Sequence, residues 1–304
     1  LQLQKQRMSY KHKKSLLLPS NSIQLKRILI FTFLIFDAVA KLNASNNPLI
    51  DSVKNNIKLL ATLKTFAEKK YISNAINKQL SELATFNEID KLDSVEYVTI
   101  LKSNAKNVLI LSWEIATDSN SFEYFCKAFL KTKTNWKSID FDDKSDEIKN
   151  AENAATTSKK WYGAHYYQLT EKKFNDKIYY TLIGINWKSN ISKIKVIEVW
   201  TVDANNNLIL GEPIIKCFGR MQRRLILEYK YDISISCRYN EEYKMIVFDH
   251  LVPPHPSLKT QKQFYVSDLS FDGLKFTKGI WVLIEDIDAR NKKAKDDETI
   301  SIPK

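Results

Sequence analysis

A chain of 304 residues, 44% apolar and 12% aromatic, is long enough to bury a full core in one large or two small domains, and three cysteines are too few for a disulfide framework. The net charge of +12 invites a nucleic-acid reading, but seven of those charges (Lys5, Arg7, Lys11, Lys13, Lys14, Lys26 and Arg27) lie before residue 28 with no acid among them, leaving +5. They precede a segment with the marks of removal, so no nucleic-acid partner is expected.

That segment, 28–36, reads ILIFTFLIF, flanked by Lys26 and Arg27 and followed by Ala38, Ala40 and Ala44. A basic flank, a short apolar run and small residues two apart are the parts of a secretory signal peptide. Asp37 interrupts the run after nine residues, well short of the roughly 20 a membrane span needs. Cleavage after Ala40 or Ala44 is expected, with an uncleaved anchor and a buried core helix as the alternatives. Residues 1–44 are therefore read as a signal peptide with an upstream extension, Met8 being a candidate start. The membrane is a partner only through this segment during export, and the destination is the periplasm, cell envelope or exterior.

Residues 45–94 carry helical spacing: Val53, Ile57 and Leu60, then Ile72, Ile76, Leu80 and Leu83, with no glycine in either set. Two helices in a hairpin are expected. Period-two patterning begins after them, and strands at 96–101, 107–115 and 122–130 read as a three-strand meander, with Leu109, Leu111, Trp113 and Ile115 on one face. Residues 144–160 are polar and read as a linker or surface loop.

The main β domain is placed at 161–290, with strands at 161–168, 177–187, 193–202, 208–217, 223–239 and 243–251 joined by short Asn-rich turns. The 177–187 segment is apolar on both faces, which predicts a central strand. In 223–239 the apolar residues fall at odd positions from Leu225 to Tyr239, with only Ile226 breaking the alternation. One long strand is expected there, with a bend near Lys230 to Asp232, burying Leu225, Leu227, Tyr229, Ile233 and Ile235. Pro253, Pro254 and Pro256 take the chain out of the sheet, and 274–276 with 280–285 form a last hairpin before a charged tail at 291–304. The fold class is mainly β: a helical hairpin followed by a large antiparallel meander forming a curved sheet, sandwich or barrel-like body.

Trp161-Tyr162-Gly163-Ala164 with Tyr166-Tyr167, Tyr179 to Leu182 leading to Gly184, Phe248-Asp249-His250-Leu251 with Pro253 and Pro254, and Trp281 before Glu285 to Arg290 resemble a family of uncharacterised secreted or envelope proteins of Bacteroidetes-type bacteria. The resemblance covers about residues 161–290. It implies export and a mostly β fold and brings no activity with it; His165 departs from the small or apolar residue expected there.

Chemistry is sparse. Asp249 and His250 end a strand at the proline loop, where an acid beside an imidazole suits a general base, yet neighbours on a strand face opposite ways, so Asp249 is a poor orienter of His250. No glycine-flanked serine accompanies them. Asp268, Asp272, Glu285, Asp286 and Asp288 match no calcium loop, and Asp272-Gly273 reads as a turn. Trp161, Tyr162 and Tyr166 are candidates for stacking on a sugar or aromatic ligand, against a core role. Phosphate loops, zinc spacings and dinucleotide fingerprints are missing, so no cofactor and no metal are expected. Cys126, Cys217 and Cys237 read as small buried hydrophobes, with a Cys217–Cys237 bridge as the alternative. The leading expectation is a non-enzymatic binding or structural module whose partner is an envelope protein or glycan; the second is an exported hydrolase using carboxylates and His250.

Overall fold

A computed structural model describes residues 48–288 apart from 94, 96 and 118–120, so the signal segment and the charged tail lie outside the described residues. Helix α1, Pro48–Thr62, and helix α2, Phe66–Thr85, form the expected hairpin. Thr65 caps α2 in a reciprocal box with Glu68, satisfying two main-chain donors that a helix start leaves unpaired. The helices are tied by Asn56 Nδ2 to Gln79 Oε1 (2.9 Å) and Gln79 Nε2 to Ser52 Oγ (2.8 Å). Among the described residues no helix is long and apolar enough to cross a membrane.

Strands β1 (Thr99–Lys102), β2 (Val108–Ala116), β3 (Phe122–Lys131) and β4 (Trp136–Asp140) form an antiparallel sheet in chain order. The sequence pattern supplied three of the four; β4 was hidden because only Trp136 of its five residues is buried. β2 is buried on both faces, and its Trp113 turns to the helices, donating from Nε1 to Ser73 Oγ of α2 (3.1 Å).

A five-stranded sheet comes next, built from β5 (His165–Phe174), β6 (Lys177–Asn186), β7 (Ser192–Val202), the short β8 (Leu208–Ile209) and β11 (Arg224–Lys230) in the order β11-β7-β6-β5, with β8 on β7. The β5–β6 turn is Asn175-Asp176, both at positive φ (47° and 62°), which suits the right-handed twist of the two strands. β9 (Ile215–Cys217), β10 (Arg220–Gln222), β12 (Cys237–Asn240), β13 (Met245–Val252), β14 (Val266–Thr277) and β15 (Ile280–Ile284) make a six-stranded sheet in the order β10-β9-β15-β14-β13-β12. All its pairings are antiparallel except β15 with β9.

The sheets stack in layers and do not close into a barrel. Val108, Ile110 and Cys126 of the first sheet meet Tyr166, Leu182 and Val196 of the second in one core. Ile183, Ile197 and Val199, on the opposite face of the second sheet, meet Ile246, Leu274 and Trp281 of the third in another. The five-stranded sheet is thus apolar on both faces, as β6 alone announced.

Three strand expectations need correction. The 223–239 stretch is two strands in different sheets: β11 stops at Lys230, whose N–H bonds Tyr265 O (3.0 Å), and the chain turns at Tyr231 and Asp232 before starting β12. The alternation survives because both strands wall the same core layer, with Leu225, Cys237 and Tyr239 all inside it. Leu225, Tyr229 and Ile235 are buried as expected, Leu227 and Ile233 only half, and Tyr231 is exposed. The 208–217 segment is broken between β8 and β9, where Gly211 takes φ +64°. Asp272-Gly273 is no turn: both lie inside β14, opposite Phe248 and Val247 of β13.

Candidate functional site

β13 and β14 run in register from Met245 opposite Lys275 to Asp249 opposite Phe271, then jump to Leu251 opposite Ser267. Asp268, Leu269 and Ser270 therefore bulge from β14 opposite His250, with Leu269 at φ +72° and Asp268 Oδ1 holding Ser270 through its N–H (3.0 Å) and Oγ (2.7 Å). His250 Nδ1 meets Asp272 Oδ2 at 2.7 Å, and Asp272 Oδ1 accepts the Asp286 N–H at 3.1 Å. The hydrogen bond to Asp272, aided by the charges of Asp272, Asp268 and Glu285, raises the His250 pKa against the opposing pull of partial burial. Asp249, the acid adjacent in sequence, turns away and accepts the Ser236 N–H (3.2 Å), and burial raises its pKa. The imidazole is oriented by a carboxylate, but by Asp272, twenty-two residues on, and not by its neighbour.

This pair lines a cleft of about 260 Å³ between β11 of the five-stranded sheet and the six-stranded sheet. Leu225, Leu227, Phe248, Leu251 and Leu283 give it apolar walls. At the rim Lys262 Nζ meets Glu152 Oε1 at 3.1 Å. Gln222, which also lines the cleft, has a buried Oε1 with no hydrogen-bond partner among the described residues. No serine or threonine lines it, and the buried Cys217 thiol is pushed up to about 11, so it is protonated at neutral pH.

The aromatic candidates go elsewhere. Trp161 and Tyr166 are fully buried, which removes them as stacking platforms. They belong to a polar network inside the first core: Trp161 Nε1 donates to Tyr166 OH (2.9 Å), Tyr166 OH donates to Glu198 Oε1, and Trp200 Nε1 donates to the same oxygen (2.8 Å). Arg224, paired across β11 and β7 with Glu198, brings Nε to Glu198 Oε2 at 2.7 Å; both side chains are fully buried. The Arg224 guanidinium also donates to Ala151 O (3.1 Å), Ala154 O (2.9 Å) and Thr156 Oγ1, pinning the polar 144–160 segment to the body as a surface loop.

Tyr162 is buried too, but lines a second cavity of about 340 Å³ with Tyr124, Asp143, Asn186 and Trp187. Asp143 accepts from Ser145 N (3.0 Å) and Oγ (2.6 Å) and from Tyr124 N (3.4 Å), and burial raises its pKa. Gly163 passes so close that a Cβ there would lie 2.6 Å from Asp143 Oδ2, a physical reason for glycine after Trp161-Tyr162. This acid is committed to holding the loop.

His165, set aside at the sequence level, sits between Thr99 Oγ1 on Nε2 (2.6 Å) and Glu114 Oε2 on Nδ1, with Trp187 Nε1 on the other Glu114 oxygen (3.3 Å). A hydroxyl, an imidazole and an acid stand in that order, the arrangement of a nucleophile with its base and orienting acid. None of the three lines either cavity; they clasp β1 and β2 to β5. The exposed acids near residue 286 form no ligand set: among the described residues no group of three or more His, Cys, Asp or Glu is placed to hold a metal ion. All three cysteines are free and buried, and Cys217 and Cys237 stand on β9 and β12, four strand spacings apart, or roughly 19 Å, too far to bridge.

Arg224, Gln222 and the Thr99–His165–Glu114 trio were not read from the sequence as site residues, and Asp272 was read there as a surface acid and a turn residue, not as the partner of His250. The trio left one trace, a histidine at the start of a strand. Comparison with protein-family models, with curated proteins and with solved structures gives no match.

Proposed function

We propose that this chain is an exported cell-envelope binding module whose ligand enters the cleft between β11 and the six-stranded sheet. The observation that carries the reading is the composition of that cleft. Apolar walls, an unpartnered buried acceptor on Gln222 and an oriented imidazole are recognition groups, and no activated nucleophile stands among them. The basic flank and apolar run before residue 37, with the resemblance over 161–290, support export.

Two measurements test it. N-terminal sequencing of the envelope fraction should find the chain cut after Ala40 or Ala44, and an intact N-terminus in the cytosol would end the export half. The purified protein should take up the apolar dye Nile red, and Leu227→Trp, which fills the cleft from β11, should abolish uptake with the melting temperature unchanged.

A second reading, an exported hydrolase, is favoured by one contact: Asp272 on His250 Nδ1 is how a general base is oriented. With no serine or threonine among the described residues that line the cleft, and with the Tyr265 hydroxyl donating to Lys259 O (2.6 Å), His250 would have to activate water, and its raised pKa leaves less of it neutral for that task. Turnover of glycan or ester substrates that vanishes in a His250→Ala variant of unchanged stability would establish this reading over the first.

A further inference from the structure

β11 is the edge strand of the five-stranded sheet, and its free side is framed at both ends. Arg224 N–H bonds Glu152 O (3.1 Å) and Lys230 N–H bonds Tyr265 O (3.0 Å), both outside the sheet, whereas Tyr231 N–H turns back to Ile191 O (2.9 Å) beside β7. Even-numbered residues of β11 therefore aim their main-chain groups away from β7. Ile226 and Glu228 lie between the two framed ends, and among the described residues their outward N–H and C=O groups have no hydrogen-bond partner. Both residues line the cleft. An unpaired sheet edge opening on an apolar cavity is the arrangement that accepts an added strand.

We infer that the cleft takes an extended peptide segment of a partner protein, added as a short strand along Ile226–Glu228, with an apolar side chain seated in the cavity and basic residues beside it. This deepens the binding-module reading and rests on it. Main-chain groups of the segment would pair with Ile226 and Glu228, and on a pleated strand every second side chain would point to the face shared with Leu225 and Leu227, into the cavity. The basic preference follows from charge: Glu152, Glu228, Asp249 and Asp272 line the cleft, with Lys262 on Glu152, Lys188 on Glu228 and His250 on Asp272 against them, which leaves the acids in excess. The framed stretch from Arg224 to Lys230 spans about 20 Å, enough for a segment of about five residues. The Lys262–Glu152 ion pair and the Tyr265 turn stand at its rim.

The test uses the full chain and a pooled library of acetylated, amidated pentapeptides. Peptides with alternating apolar residues and flanking lysine or arginine should be enriched. N-methylation of the best binder at the two positions facing Ile226 and Glu228 should weaken it about tenfold or more, since two main-chain donors are lost. Ile226→Pro should do the same from the protein side, because proline is tolerated where an edge N–H points outward. Should that variant unfold, the N-methylated peptide on the unaltered protein decides alone. Equal binding of the N-methylated peptide overturns the inference, as does a dimer in sedimentation that Ile226→Pro dissociates. Nile red uptake without any enriched peptide refutes the added strand and leaves the binding module standing; the failure of both probes removes the two together.

Discussion

Replacing Arg224 by Met is the sharpest test of how the layers are held together. The substitution keeps an unbranched stem that ends about where Nε stood and removes the charge, leaving the carboxylate of Glu198 in a site with no solvent exposure, opposed only by hydrogen bonds from Tyr166 and Trp200. Breaking a buried pair in this way costs about 3 to 5 kcal/mol. The half-buried Ala151 O and Ala154 O and the buried Thr156 lose their donor as well, which adds about 1 to 3 kcal/mol. Against a typical total stability of about 5 to 15 kcal/mol, the single variant should lose about a third or more of its stability. The double variant Arg224→Met with Glu198→Gln removes the stranded charge and keeps an oxygen for Tyr166 and Trp200, so it should recover about 2 to 3 kcal/mol of the loss. Urea melts followed by tryptophan fluorescence measure all three proteins. A single variant that loses under about 1 kcal/mol, or a double variant no better than the single, would refute the reasoning.

The His250–Asp272 pair should make stability depend on pH. Because the folded pKa of His250 is raised above its ordinary value of 6.5, its contribution is fully present below that value and is lost as pH rises through the folded pKa; Asp272→Asn should flatten that part of the profile in melts across pH 5 to 9. Gly163→Ala should cost about 1 to 3 kcal/mol by forcing a methyl into the Asp143 carboxylate, and Asp143→Ala in the same chain should relieve the overlap, as paired denaturant melts will register. Leu225→Ala should cost about 2 to 5 kcal/mol and the exposed Ser234→Ala under about 0.5; equal sensitivity would contradict the one-sided burial of this stretch.

Much of the fold was legible because its elements are local and periodic. The helix pair, the first three strands and the doubly apolar β6 all announce themselves within ten or twenty residues. Sheet membership does not, since β11 and β12 bury the same odd-numbered positions from different sheets and alternation is blind to the change of partner. The candidate site was half legible for a similar reason. His250 stood out at the end of a strand, but the acid that orients it arrives across the β13–β14 ladder, and Asp272-Gly273 resembled a turn because the positive-φ residue of that region is Leu269 instead. Trp161 and Tyr166 misled because the charges that make their burial tolerable, Glu198 and Arg224, come from strands far along the chain.

The parallel join of β15 to β9 also constrains how the chain reaches its final form. Trp281 pairs with Ile215 and donates through Nε1 to Thr181 Oγ1 of the central sheet (3.0 Å), so residues a hundred apart must meet before the third sheet is whole. The hairpins β5–β6–β7 need only nearby partners and can assemble early, leaving Ile183, Ile197 and Val199 bare to water until the last hairpin arrives. Long-range pairing of this kind is slow, and a half-covered sheet is prone to self-association in the interval. A chain cut short before Ile280 would keep Ile246 and Leu274 over the central sheet but lose Trp281 and Leu283, and with them the strand that joins β14 to β9.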